Sequence, residues 1–267
     1  MPMLARPAFD YALLLSQLGT ARARFDVDWL AECSSTNTVL QERAAKGAAS
    51  GSVLVADVQT AGRGRRGRSW LSSPDNSLTF SLLWRLPPAV RSAGLSLAVG
   101  LAVAQALESL GARGVGLKWP NDIWLLGQKL GGVLIEVAFD SNGLGLIIGI
   151  GLNLRHDAEL ETQLGHASAA LSDEDLLLPR EVVLGAVLRE LASVLDRFGS
   201  EGFTALRAAW CARNALLGLP VRVSSESGEH LGNCGDVAAD GALILHTAYG
   251  AHLLITGGDV SLAPMSR

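Results

Sequence analysis

Lysine is nearly missing from this chain: three lysines, Lys46, Lys118 and Lys129, stand against 19 arginines. Cysteine is as sparse, and Cys33, Cys211 and Cys234 are odd in number, widely spaced and free of any C-x-x-C or Cys/His pairing. That excludes a disulfide framework or a zinc site and makes a reducing cytosol the expected compartment. The five histidines, His156, His166, His230, His246 and His252, contain no H-E-x-x-H and no i, i+4 pair, so they are expected on loops or the surface and no bound metal is expected. An excess of positive charge is lacking too. With a net charge of -4 and a pI near 5.7, the whole surface is not built to hold nucleic acid, and any phosphate binding has to be local. Long apolar runs are also absent. Tyr11–Leu15 is too short for the core of a signal peptide. The uncharged stretch Ser92–Leu107 falls short of the ~20 residues of a membrane span and holds two Ser, two Gly and a Gln, so it is expected as a buried core helix.

The 267 residues are 49% hydrophobic, which excludes disorder and suffices for a large core. Periodicity predicts helices over 10–18, 38–46, 95–110 and 179–198, with a further helix over 203–212. Strands are expected over 27–30, 52–58, 78–83, 116–123, 130–138 and 144–154, the last two joined by a tight turn at Asp140-Ser141-Asn142-Gly143. Consecutive antiparallel strands among helices give an α+β fold with a mixed, largely antiparallel sheet. After Gly218 the texture changes to short alternating segments, 221–225, 230–238, 242–246 and 251–256, spaced as in a small barrel. The expected organisation is a catalytic unit, 1–218, and a β unit, 219–267, too small to be stable without docking on the first.

Chemistry concentrates in a few segments. Gln59-Thr60-Ala61 leads into Gly62-Arg63-Gly64-Arg65-Arg66-Gly67-Arg68-Ser69-Trp70, directly after a strand. Glycines let backbone N–H groups approach an anion, four arginines offer forked donors, and Trp70 offers a flat face for a base. The spacing is not that of a Walker loop. An arginine-glycine nucleic-acid segment is the competing reading, but one short run in an acidic chain favours a nucleotide loop. Being almost wholly polar, this loop is expected to gain order only when an anion supplies partners. Lys118-Trp119-Pro120-Asn121-Asp122 and Gln128-Lys129-Leu130-Gly131-Gly132 hold two of the three lysines. Two compatible explanations compete: GC-rich coding that converts indifferent lysines to arginine, and a need for a compact ammonium at Lys118 and Lys129. Ser34-Ser35-Thr36-Asn37 reads as a helix N-cap whose polar groups are also free to serve a ligand. Gly149-Ile150-Gly151-Leu152-Asn153 ends a strand with small residues and an amide.

Taken in order, S-T-N at 35–37, G-R-G-R-R-G-R-x-W at 62–70, K-W-P-N-D at 118–122, K-L-x-G at 129–132 and G-x-G-x-N at 149–153 make the chain resemble the biotin protein ligases. The resemblance spans about residues 30–155, and the C-terminal segment is similar to that family's small SH3-like β-barrel. It implies activation of biotin by ATP and Mg2+ to biotinyl-5'-adenylate, then transfer to one lysine of a biotin carboxyl carrier protein. By carry-over Ser35, Thr36, Asn37, Gln59, Gly62, Arg63, Gly64, Arg65, Lys129 and Gly132 would bind biotin. Arg65, Arg66, Arg68, Trp70, Lys118, Asn121, Lys129 and Asn153 would bind the nucleotide. Lys129, Arg65 and Asp122 would be catalytic, Asp122 orienting or deprotonating the incoming lysine or helping to position magnesium. Gly131 stands where the family often has Ala, a change expected to leave backbone contacts intact. Lipoate ligases and octanoyltransferases share the implied fold without the arginine-glycine loop and are the alternative. Bifunctional members carry an N-terminal DNA-binding domain for which about 34 residues leave no room, so a ligase without repressor activity and without specific DNA binding is expected. A homodimer stays open.

Overall fold

The computed structural model describes residues 9–140, 143–164, 167–225, 228–248 and 250–263. The expected turn residues Ser141 and Asn142, and His166, lie outside them. Among the described residues six helices and twelve strands follow in chain order: α1 (Tyr11–Leu18), β1 (Asp26–Cys33), α2 (Thr36–Ala45), β2 (Ser52–Gln59), β3 (Ser77–Trp84), α3 (Leu95–Ser109), β4 (Val115–Lys118), β5 (Asp122–Leu125), β6 (Gln128–Asp140), β7 (Gly143–Asn153), α4 (Ala158–Leu164), α5 (Arg180–Glu201), α6 (Arg207–Cys211), β8 (Pro220–Ser225), β9 (Gly228–Val237), β10 (Leu243–His246), β11 (His252–Ile255) and β12 (Asp259–Leu262).

Seven strands form one mixed sheet in the order β1-β2-β3-β7-β6-β5-β4. Only β1 and β2 run parallel; every other pairing is antiparallel. The hydrophobic stretch 95–110 folds as the expected core helix: α3 is buried at eleven of its fifteen positions and packs against α5 and strands β4 to β6. Helix α1 packs on α5, so these three helices cover one face of the sheet. The other face carries α2, with a smaller apolar cluster of Leu40, Ala44, Leu54, Leu83, Ala138 and Ile147 beneath it. Three helix boundaries have a local cause. Asp10 caps α1 by accepting from the Leu13 N–H at 2.9 Å, α5 starts directly after Pro179, and Gly202, at φ +69°, turns the chain out of α5.

Several expectations are corrected. The strand expected over 116–123 is two strands, because Pro120 has no N–H for the ladder and the chain reverses over Trp119-Pro120-Asn121, with a cis peptide between Trp119 and Pro120. Beyond Gly202 the expected helix over 203–212 is one tight turn followed by the five-residue α6. Helix α4 and strand β12 were not anticipated, being too short to show a period.

The second sheet is antiparallel in the order β11-β10-β9-β8-β12. Among the described residues β11 and β12 do not pair with each other, so the small barrel expected from the sequence is described as a five-stranded sheet. Its apolar face, with Val221, Val223, Val237, Leu243, Leu245 and Ile255, joins the main core cluster without a break. The Trp119 indole also donates to the Gly241 carbonyl at 3.0 Å. The second sheet is thus packed onto the core beneath the first.

Candidate active site

A cavity of about 420 Å3 opens over β2, β3, β6 and β7, between the first turn of α2, the arginine-glycine loop and the start of β12. Of the residues singled out in the sequence, Ser35, Thr36, Asn37, Gln59, Arg63, Gly64, Arg65, Arg68, Trp70, Lys118, Asn121, Asp122, Lys129, Gly132 and Asn153 line it. Gly62 and Arg66 do not: Gly62 closes the base of the loop through its carbonyl to the Trp70 N–H at 2.9 Å, and Arg66 points towards a neighbouring cavity at the start of α3.

One end of the cavity is neutral and buried. Ser35, Thr36 and Asn37 are 3–4% exposed. Gln59 Oε1 accepts from the Thr36 N–H at 2.8 Å and lies 3.2 Å from its hydroxyl. Ser81 Oγ lies 2.7 Å from Thr36 Oγ1 and 2.5 Å from Asn37 Oδ1, and Asn37 Nδ2 donates to Glu136 at 2.8 Å. These side chains are therefore held by each other and cannot turn freely towards a ligand. Gly149 is small for this reason, since a Cβ there would lie 2.3 Å from Asn37 Oδ1.

The other end is charged. Asp122 sits between the two motif ammonium groups, with Oδ1 2.7 Å from Lys129 Nζ and Oδ2 3.4 Å from Lys118 Nζ. Lys129 Nζ also lies 6.0 Å from the Trp70 ring, and Lys118 Nζ 5.2 Å from the Trp124 ring. Trp70 fits against β7 because Gly151 lacks a side chain: a Cβ there would be 2.3 Å from the indole. Asn121 donates to Val133 O at 2.8 Å, and its Oδ1 accepts from Arg65 at 3.2 Å. Asn153 donates to Ala169 O at 3.0 Å, while the Ala169 N–H donates to Lys129 O at 2.9 Å. Burial lowers the Arg65 guanidinium below its ordinary value, with Asp259 opposing the shift.

The loop is not without partners. Arg63 bonds Glu136 at 2.7 Å. Across the site Asp259 gathers Arg65 and Arg66, each at 3.5 Å, and Arg68 more closely still. The loop was expected to need an external anion for its order; here a carboxylate of the second sheet supplies one. Sequence reading missed Asp259, and it left Glu136, Ser81 and the cavity-lining Ser168 without roles. A single acidic residue 191 positions beyond Arg68 has no local pattern that could betray it. Gly131 keeps its ladder pairings with Ile123 and Leu152, and an alanine Cβ there would lie 2.4 Å from Gly151 O.

Among the described residues no group of three His, Cys, Asp or Glu side chains is arranged to hold a metal, and no helix is long and apolar enough to cross a membrane.

Residues 29–153 match the model of the biotin/lipoate A/B protein ligase family. The biotin--[acetyl-CoA-carboxylase] ligase of Mycobacterium tuberculosis is 34% identical over 264 residues, covering 96% of each chain. The bifunctional ligase/repressor BirA of Escherichia coli is 33% identical over 85% of this chain and 71% of its own length. Among solved structures, the biotin protein ligase from Aquifex aeolicus in complex with biotin and ATP superposes with a TM-score of 0.78 at 31% identity, covering 89% of this chain and 99% of that one. The five motifs that meet around one cavity and these likenesses along most of the chain place it in one group: the chain belongs to the biotin/lipoate protein ligase family, among its biotin protein ligases.

Proposed function

We propose that the chain activates biotin with MgATP and transfers the biotinyl group to a lysine of a carrier protein. The observation that carries this reading is the division of one cavity into a neutral, buried hydrogen-bonding end and a cationic end. Biotin has a ureido ring with two N–H donors and a carbonyl, joined by an apolar chain to a carboxylate. Ser35, Thr36, Asn37 and Gln59 suit the ring, and Lys129 suits the carboxylate. Octanoate has nothing to satisfy the neutral end, which favours biotin over the lipoate and octanoate alternative.

In the first step a biotin carboxylate oxygen bonds to the α-phosphorus of ATP while the bond to pyrophosphate breaks. Two anions must meet, so Lys129 and Arg65 supply the compensating charge and Lys118 and Arg68 extend it along the phosphates. Trp70 offers the adenine a face, and Asn121 and Asn153 fix the walls on either side. Magnesium enters with ATP as part of the substrate; both Asp122 oxygens already face lysine ammonium groups, which favours Asp122 as the group that orients those lysines over a metal ligand. In the second step the acceptor amine, freed of its proton, attacks the acyl carbon and AMP departs. Asp122, by giving up one of its lysine contacts, is the cavity-lining carboxylate assigned to receive a hydrogen bond from that amine. The same reading divides the chain at Gly218 into catalytic and C-terminal units and sets the enzyme in a reducing cytosol, consistent with three free cysteines.

The test is transfer of labelled biotin to a purified biotin carboxyl carrier domain. Label should appear only with MgATP and disappear when the acceptor lysine is replaced by arginine; labelling that ignores ATP or the acceptor lysine would contradict the reading.

A further inference from the structure

Glu136 stands outside the cavity wall, yet two residues of that wall converge on one of its atoms. Its Oε2 accepts from Arg63 Nη2 at 2.7 Å and from Asn37 Nδ2 at 2.8 Å. These donors come from the arginine-glycine loop and from the first turn of α2, and Glu136 itself from β6, so a single carboxylate joins three elements that meet at the site. The Asn37 amide is left no alternative orientation, because its Oδ1 faces Ser81 Oγ at 2.5 Å and its Nδ2 faces an acceptor. Arg63 is changed in meaning as well. Its Nη2 is engaged by Glu136, which fixes where this cavity-lining guanidinium stands.

We infer that Glu136 is a positioning residue for the acid substrate: it ties the arginine-glycine loop to α2 and holds the loop closed over the neutral end of the cavity. The loop makes its own turn, with Gly64 N–H to Arg68 O at 2.7 Å and Trp70 N–H to Gly62 O at 2.9 Å. These bonds shape the loop without fastening it to the body of the protein. Its side-chain fastenings are Asp259, the Gly258 carbonyl and Asn121 on one side and Glu136 on the other. The Arg63–Glu136 pair is half-exposed, at 40% and 24%, so its loss shifts the balance between open and closed loop without unfolding the chain. When the closed form is only a fraction of the population, apparent affinity falls by that fraction, whereas turnover of the bound complex does not.

The inference rests on the biotin reading, and its test has one arm that does not. Glu136→Gln keeps an acceptor for Asn37 but removes the charge that holds Arg63. The expected result is a rise in KM for biotin of roughly 3- to 10-fold, with kcat for adenylate formation within about 2-fold of wild type. Limited trypsin digestion without any substrate should cut the 63–68 segment faster in Glu136→Gln than in wild type, at an unchanged Tm. On an Arg63→Gln background the same substitution should add nothing to cleavage or to KM. A folded Glu136→Gln protein with wild-type KM and wild-type cleavage overturns the inference, and so do additive effects in the double variant. Should Glu136→Gln fail to fold, Arg63→Gln alone reads the pair from its exposed side: faster loop cleavage supports the role and unchanged cleavage refutes it. A wild-type protein that makes no biotinyl-adenylate would refute the biotin reading alone, and the substrate-free cleavage would still decide whether Glu136 holds the loop.

Discussion

The two ends of the cavity solve different problems with different chemistry. At the neutral end Ser35, Thr36 and Asn37 are 3–4% exposed, and Thr36 and Asn37 are bonded to Gln59, Ser81 and Glu136, so their positions are set by the protein's own bonds. At the cationic end Lys129 is 37% and Arg68 63% exposed, and the cations are held by carboxylates, Asp122 and Asp259, that compete with any incoming anion. Buried neutral bonds are costly to leave unpaired and therefore discriminate between ligands. Half-exposed charges discriminate weakly but act strongly where negative charge gathers in a transition state. On the proposed reading, recognition belongs to the first end and rate to the second.

The comparison breaks most visibly at Lys129. Lys129→Ala should lower adenylate formation by ~100- to 1000-fold with biotin binding much less affected, as single-turnover rates and direct titration will show. At the neutral end Gly149→Ala should act in the opposite sense. Its Cβ, 2.3 Å from Asn37 Oδ1, displaces the amide, and overpacking of about 1–3 kcal/mol should appear as weaker biotin binding with nearly unchanged ATP dependence. Trp70→Ala should raise the KM for ATP more than that for biotin, by roughly 1–3 kcal/mol if stacking here matches stacking on single-stranded nucleic acid.

The smallest effect lies outside both ends. His156 bonds Asp173 and Glu161, each at 2.5 Å, and these contacts raise its pKa despite some burial. A raised pKa means that the folded protein holds the proton more tightly than the unfolded chain. The contribution is then complete below about pH 6.5 and is lost as pH rises through the folded value. The gap in denaturation midpoint between wild type and His156→Gln should be widest in mildly acid buffer and vanish in alkaline buffer. A gap that does not change with pH would mean that His156 acts by packing alone.

How much was legible in the sequence follows from how local each feature is. The loop 62–70, the lysines at 118 and 129 and the S-T-N turn announced themselves because each packs its chemistry into a few consecutive residues. The helices α3 and α5 were legible because their length shows their period. Asp259 was not, because its meaning arises only when β12, paired with β8 at the edge of the second sheet, meets arginines almost 200 positions earlier. Glu136 was visible as a residue but not as a link, since its partners lie 73 and 99 positions away. Gly149 and Gly151 looked like generic small residues, and only the structure shows that one admits Asn37 and the other Trp70.

The division of labour is tested most directly by pyrophosphate release from MgATP with biotin, lipoate or octanoate as the acid. The cationic end would treat the three carboxylates alike, and only the neutral end can separate them. Biotin should drive release at a kcat/KM at least about 100-fold above the other two. Comparable rates with lipoate or octanoate would contradict the assignment of recognition to Ser35, Thr36, Asn37 and Gln59.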